Sequence, residues 1–249
     1  MSATPKVSVA MAVFNGMPYL KEQLDTILAN LSDTDEIVIS DDGSTDRTIE
    51  LIKEYQSQYP QIRFVKGPEK GIKQNFANAI QNCTGAIIFL SDQDDIWNEN
   101  KIKTVLPLFD DPMCMVVTHN AQVIYDDGIT DGPSAFQLHH SQSGILRNIL
   151  KNSYMGCCMA FRKEMIPYIL PIPDDIEMHD QWIGLIGEKL GRSIFLDRKL
   201  IDYRRHSQNA SELHHHPFPV MVSRRVHLIR WFIQRIKEWD KPVHKNRLN

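Results

Sequence analysis

The run Ser91-Asp92-Gln93-Asp94-Asp95-Ile96-Trp97 follows directly on the apolar stretch 86–90. Three carboxylates at the exit of a buried strand repel one another, and a hard divalent cation with oxygen ligands is the usual remedy. The pattern points to a site for a metal and a phosphate. A second acidic turn, Asp41-Asp42-Gly43-Ser44-Thr45-Asp46, also ends an apolar run. A nucleotide-type phosphate donor accounts for both turns: one carboxylate accepts hydrogen bonds from base or ribose, and the other cluster holds the metal that neutralises a diphosphate. Each turn also has a plainer reading. The first is good turn and helix-cap chemistry, and the second could be an exposed acidic loop capping a helix from Asn98. Its place right after a buried strand, with an exposed Trp97 expected behind it, weighs for the metal.

Periodicity locates the elements that carry these turns. Through the first half, strands at 7–14, 36–40, 62–65 and 86–90 alternate with helices at 19–30, from the 41–46 turn to about 59, and at 73–82. Ser44 or Asp46 can cap the second helix. Strands this apolar suit a parallel sheet covered on both faces, with ligands beyond the carboxyl ends, where both acidic turns fall. The second half is less regular: one long or two short strands over 113–125, a helix at 143–152 and a small-residue strand at 156–162. A helix at 180–190 follows, with Trp182, Ile186 and Leu190 inward, then strands at 193–196 and 200–204 and a helix from about 220 to 239. The expected architecture is a single α/β domain, 1–216, with a helical appendix, 217–249.

Composition excludes several classes. A 249-residue chain with 42% apolar and 24% charged residues is ordinary for a globular protein, and a net charge of -3 argues against a nucleic-acid partner. The charge is unevenly spread, with a net of +6 carried by residues 217–249. Cys83, Cys114, Cys157 and Cys158 form neither a disulfide framework nor a zinc pattern, so a reducing compartment is expected. The apolar start lacks a small-residue cleavage site, and no stretch approaches the ~18–20 apolar residues of a membrane span. The expected location is the cytoplasm, with the chain free or bound at a membrane surface.

Val7-Ser8-Val9 through Asn15-Gly16, then Ile39 to Asp46, then Ser91 to Trp97 together resemble the family 2 glycosyltransferases, most strongly over residues 5–110. The resemblance implies a GT-A fold, Rossmann-like, with a mostly parallel central sheet. It implies a nucleotide-sugar and metal half, 1–110, an acceptor half, 111–216, and transfer from a nucleoside diphosphate sugar with inversion. Asp41 matches the contact to base or ribose, with Asp42 its neighbour. Asp92 and Asp94 match the D-x-D pair, Asp94 being the direct metal ligand, and Gln93 lies between them on the nucleotide-sugar side. Lys73 falls where the family works near the donor, so it is a phosphate candidate or else part of a solvated helix face. Asp180 matches the base that takes the acceptor proton, although an aspartate there is also a good helix cap; at a helix amino terminus it would be a weak, permanently ionised base. His206 matches a histidine that completes the metal shell and tilts the choice from Mg2+ towards Mn2+; the alternative is a surface histidine. Arg204 and Arg205 beside it suit a diphosphate or phospholipid. Trp97, Gly156 and Cys157 match the border of the acceptor pocket, the last two fitting a packed core strand as well. The His214-His215-His216 run is set aside as loop.

The Asp-Gln-Asp-Asp-Ile-Trp version is similar to transferases of bacterial O-antigen and capsule assembly, many of them rhamnosyltransferases. It implies a UDP- or dTDP-sugar donor, the common hexoses leading on frequency, and a polyprenyl-diphosphate-linked acceptor. The last helix fits such an acceptor. Val222, Val226, Ile229, Ile233 and Ile236 recur at steps of four and three among Arg224, Arg225, Arg230, Arg235 and Lys237, so the helix could lie on an anionic membrane at the inner face of the plasma membrane or pack on protein. Two rivals are a nucleotidyltransferase, which lacks its basic Gly-rich loop here, and an inactive sugar-nucleotide-binding scaffold.

Overall fold

The computed structural model describes residues 6–125, 128–129, 132–206 and 218–239. The 214–216 histidine run, the 216/217 boundary and the tail from 240 lie outside them. In chain order the elements are β1 (Val7–Val13), α1 (Leu20–Leu28), β2 (Glu36–Asp41), α2 (Thr48–Gln58), β3 (Ile62–Lys66), α3 (Ile72–Gln81), β4 (Ile87–Ser91), β5 (Ile96–Trp97), α4 (Lys101–Val105), β6 (Cys114–Tyr125), β7 (Gly128–Ile129), α5 (Ala135–His139), α6 (Ile145–Leu150), β8 (Met159–Arg162), α7 (Ile166–Ile169), α8 (His179–Leu190), β9 (Arg192–Arg205) and α9 (Phe218–Trp239).

One sheet runs β3-β2-β1-β4-β8-β6-β9-β5, with β7 on β6. The first four strands are parallel, as their intervening helices require, and β1, β2 and β4 are buried throughout while β3 at the edge is partly exposed. Beyond β4 the sheet is mixed: β8 is antiparallel to both β4 and β6, β9 runs parallel to β6, and β5 is antiparallel to β9. The sheet is mostly parallel, as expected from the sequence: β8 enters the centre as a reversed strand, but the long ladder of β6 with β9 is again parallel. The two strands expected over 193–204 are one bent strand, β9, whose register against β6 slips between the His119–Leu196 and Asn120–Lys199 pairs. The segment expected as a strand from 156 begins as a 3-10 turn, Gly156–Cys158, and becomes β8 only at Met159.

Alternation along β1 divides the core between the two faces of the sheet. Val7, Val9, Met11 and Val13 pack with α1 and α2 side chains such as Leu20, Leu24, Ile27 and Ile52. Ala10 and Ala12 face the other way, towards Phe76 and Ile80 of α3, with Trp182 and Ile186 of α8 in the same cluster. Each fully buried aliphatic side chain contributes about 1.5–3 kcal/mol. Leu228 and Phe232 of α9 belong to this second cluster, so the last helix docks on the domain.

Candidate active site

β4 delivers Asp92 to Asp95 at its carboxyl end, and the loop is clamped from both sides. The Gln23 amide of α1 donates to the Ser91 hydroxyl (2.7 Å) and the Asp92 carbonyl (2.9 Å). Residues 96–97 then turn into β5, pairing Ile96 with Asp202 and Trp97 with Ile201. That pairing carries the end of β9 over the loop. The Arg204 main chain donates to Asp95 Oδ1 (3.2 Å) and its Nε to the Asp94 carbonyl (3.0 Å), while His206 Nε2 lies 2.8 Å from Asp94 Oδ2. His206 stacks on Tyr19 at 4.5 Å, and the Arg204 guanidinium lies over the same ring at 5.0 Å. Arg204, expected at a phosphate, braces the acidic loop and pairs with Glu22 (2.7 Å).

Asp92, Asp95 and Cys157 present ligand atoms within 4.8 Å of one another. Burial pushes Asp92 up to about 7, with the charges of Asp94 and Asp180 adding to it. Burial raises Asp94 too, against the opposing His206 hydrogen bond, and raises Asp95 well above the carboxylate range. Two cations answer this crowding, Arg204 beside Asp94 and Lys101 beside Asp92 and Asp95. Lys101 is fully buried, donates to the Cys157 carbonyl (2.9 Å), sits 3.7 Å from the centre of the Trp97 ring, and is brought down to about 8 by its burial. Nothing in the reading of the sequence marked Lys101; the available signal was a lysine in phase with Ile102 and Val105 on an otherwise inward face.

The donor set fits a divalent cation. Asp95 Oδ2 is buried without a partner, the carboxylates repel one another, and an imidazole adjoins Asp94. Cys157 does not fit as a thiolate ligand, because its hydrogen bond with Cys158 and its burial hold the thiol protonated.

Asp180 stands in the first turn of α8, buried, accepting from Asn152 Nδ2 (3.1 Å) and from the Gln181 main chain (2.5 Å). Burial outweighs these bonds and raises it to about 6. This corrects the permanently ionised base expected from the helix terminus: desolvation is the larger effect. Asp180 is close enough to the acidic loop for its charge to raise Asp92. Gly156 lies between Asp180 and its neighbour His179, where an added Cβ would fall 2.9 Å from His179 Nε2 and 3.9 Å from Asp180 Cβ. His179 stacks on Phe76 at 4.2 Å, is driven down to about 3 by burial, and has neither ring nitrogen paired.

The remaining candidates are taken up in holding the neighbouring loops and elements. Asp41 is buried and accepts from the main chains of Gly43 (3.1 Å) and Ser44 (2.9 Å) and from the Ser44 hydroxyl, so it builds its own turn. Asp42 holds the neighbouring loop through the amides of Glu69 (2.7 Å), Lys70 (3.3 Å) and Gly71 (2.7 Å). Asp46 Oδ1 accepts from Thr48 N at the start of α2 (3.0 Å). The Gln93 amide clasps Phe14 through both main-chain groups (2.9 and 3.1 Å). Two expectations are corrected. Trp97 is 3% exposed and packs on Phe89, because β5 draws it under β9 into the core. Lys73 is neither solvated nor free for phosphate: its ammonium donates to the carbonyls of Asp174 (2.5 Å) and Ile176 (2.6 Å) and ties α3 to the loop before α8.

The model of Glycosyl transferase family 2 matches residues 8–185. The chain belongs to this family. Among relatives, it is 30% identical over 216 residues to the dTDP-rhamnosyl transferase RfbG of Shigella flexneri, covering 80% of this chain and 72% of that protein. It is 27% identical over 213 residues to the uncharacterized glycosyltransferase alr2836 of Nostoc sp., covering 82% of this chain. The chain spans 66% of the Nostoc protein and 59% of Rv1520 of Mycobacterium tuberculosis, so the first curated relatives are longer proteins. The fold matches S. aureus TarS solved with UDP-GlcNAc, at a TM-score of 0.71 and 17% identity over 95% of this chain and 67% of that one. It also matches the Pyrobaculum calidifontis mannosyltransferase PcManGT solved with GDP-Man and Mn2+, at 0.64 and 16% over 96% and 76%. These two likenesses are of fold. The protein is a family 2 glycosyltransferase with the GT-A fold.

Proposed function

We propose that this glycosyltransferase moves a hexose or deoxyhexose, with inversion, from a UDP- or dTDP-sugar to a polyprenyl-diphosphate-linked saccharide in bacterial O-antigen or capsule assembly. The observation that carries the reading is Asp180, a buried carboxylate raised to about 6, set beside Gly156 and within electrostatic reach of the Asp92–Asp95 loop. In its ionised form Asp180 takes the proton from the attacking acceptor hydroxyl. Asn152 and the Gln181 amide fix the direction of its carboxylate. Asp92, Asp94 and His206 would hold Mn2+ or Mg2+, which when bound neutralises the departing diphosphate. The 41–46 turn, with Asp41 and Asp42, forms the nucleotide wall. Gly156 and Cys157 border the acceptor. The likeness to the Shigella enzyme favours a dTDP-deoxyhexose over the common hexoses expected from frequency. A lipid-linked acceptor implies a cytoplasmic enzyme peripheral on the inner membrane face.

A thermal-shift panel of UDP, dTDP and GDP, each with Mn2+, Mg2+ or chelator, tests the donor and the metal together. Saturation of the native state at a hundredfold excess over Kd stabilises it by about 2.7 kcal/mol. The expected outcome is a metal-dependent shift with dTDP or UDP that Asp94→Ala removes. Absence of a shift with every pair would count against a nucleoside diphosphate sugar as the donor.

A further inference from the structure

The last helix has two apolar rows, and the structure uses only one of them. Leu228, Phe232 and the aliphatic stem of Arg235 are buried on the domain, with Trp231, Ile236 and Trp239 packed beside them. Arg235 fastens this face by donating to the carbonyls of Tyr168 (2.6 Å) and Pro171 (2.9 Å). At 3.6 residues per turn, Val222, Val226, Ile229 and Ile233 stand roughly 120° away from Leu228 and Phe232. They are 42%, 56%, 38% and 47% exposed. Of the stripe that the sequence offered as either a packing face or a membrane face, the packing draws in Ile236 and the aromatic residues beside it and leaves Val222, Val226, Ile229 and Ile233 outside.

A second element extends the patch. Leu146 and Leu150 of α6 are 80% and 65% exposed, and Arg225 joins the end of α6 to α9 by donating twice to the Leu150 carbonyl (2.9 and 2.6 Å). Exposed Lys151, Arg230 and Lys237 flank the apolar side chains. The nearby acids are engaged elsewhere: Glu238 with Arg235 and Gln234, Glu177 with Arg224, and Asp175 with Trp231 and His227. An apolar row rimmed by cations, with its acids turned aside, is complementary to a surface that is greasy below and anionic above. No helix among the described residues is long and apolar enough to cross a membrane, so contact would be in the plane.

We propose that α9 and the end of α6 together form the face on which this enzyme rests on an anionic lipid bilayer. The inference deepens, and rests on, the reading of a lipid-linked acceptor. Arg224, Arg225 and Leu228 of α9 line a small cleft with Asn152 and Gln181, and both of the latter bond or adjoin Asp180. Leu150 and Arg225 also line this cleft, so the proposed bilayer face adjoins, through these two residues, the cleft that Asn152 shares with the base.

The test is co-sedimentation of the full chain with vesicles of phosphatidylcholine alone and of phosphatidylcholine mixed with phosphatidylglycerol. Val226→Gln/Ile229→Gln/Ile233→Gln and Arg230→Gln/Lys237→Gln serve as variants, with melting temperature and the nucleotide-diphosphate thermal shift as controls. The expected result is binding to the anionic vesicles that salt weakens, that the apolar variant loses, and that the charge variant weakens roughly thirtyfold, with both controls unchanged. Equal binding by wild type and the apolar variant, or none by wild type, would overturn the proposal. So would a wild-type dimer that the apolar variant converts to a monomer, which would assign the face to a second copy of the chain. Because the vesicle assay contains no donor, its failure with the nucleotide shift intact would remove the membrane face and leave the transferase reading standing.

Discussion

At the scale of single residues, the state of Asp180 governs both rate and stability. Its raised value of about 6 predicts that kcat/KM falls as pH drops through about 6, since only the ionised form can accept a proton. A pH–rate profile checks this, and Asp180→Asn should lower the rate by about 10²–10⁴. The same shift acts on the fold. Relative to an ordinary value of 3.8, Asp180 keeps its proton longer in the folded protein, so its contribution is fully present below 3.8 and is lost as pH rises through about 6. Asp180→Asn should therefore be more stable than wild type at pH 8, on the order of 2 kcal/mol, while inactive. A variant that melts lower at pH 8 would contradict this account. Lys101 makes a converse prediction. Removing its charge lets burial push Asp92 and Asp95 further up and leaves the buried Cys157 carbonyl without its donor, so Lys101→Met should cost about 1–3 kcal/mol in denaturant unfolding.

At the scale of elements, the site depends on close approaches that only glycine permits. A Cβ on Gly184 of α8 would fall 2.3 Å from the Tyr154 ring. Gly184→Leu should therefore destabilise by about 1–3 kcal/mol, read as a lowered denaturation midpoint. Gly156→Ala acts on a smaller unit. Its Cβ would press on His179 Nε2 at 2.9 Å, and His179 is held by Phe76 behind it, so the start of α8 must shift. The expected outcome is a larger fall in kcat than in melting temperature. The two residues of β5 matter as much as any helix. They are too few to show a period, which is why the sequence offered Trp97 as an exposed side chain when their pairing with β9 buries it.

For the whole molecule, the sheet is a junction between two styles. Its parallel half, β3-β2-β1-β4, sets the two acidic turns at the ends of β2 and β4, on either side of β1, and its mixed half returns β9 across the loop and starts α8 beside it. α9 then closes the face that carries Phe76 and Trp182. Deleting the chain from Pro217 would accordingly do more than release a membrane contact: it would strip Leu228 and Phe232 from the core, so the point substitutions on the outer row are the cleaner probe of binding.

The sequence by itself determined the order of strands and helices from β1 to β4, the placing of both acidic turns at strand ends, and the aspartate in the first turn of α8. These are local matters: apolar spacing of two or of three and four residues, and turn residues at the breaks, are written within a dozen positions. Only the tertiary structure decided which acid meets which partner. Asp94 finds His206 across 112 positions, and the Cys157 carbonyl meets Lys101 across 56. It also decided that Asp180 is a stronger base than its helix position implies, and that α9 docks by one row and leaves the other bare. Burial, pairing and desolvation depend on what the rest of the chain brings alongside, and no local period records that.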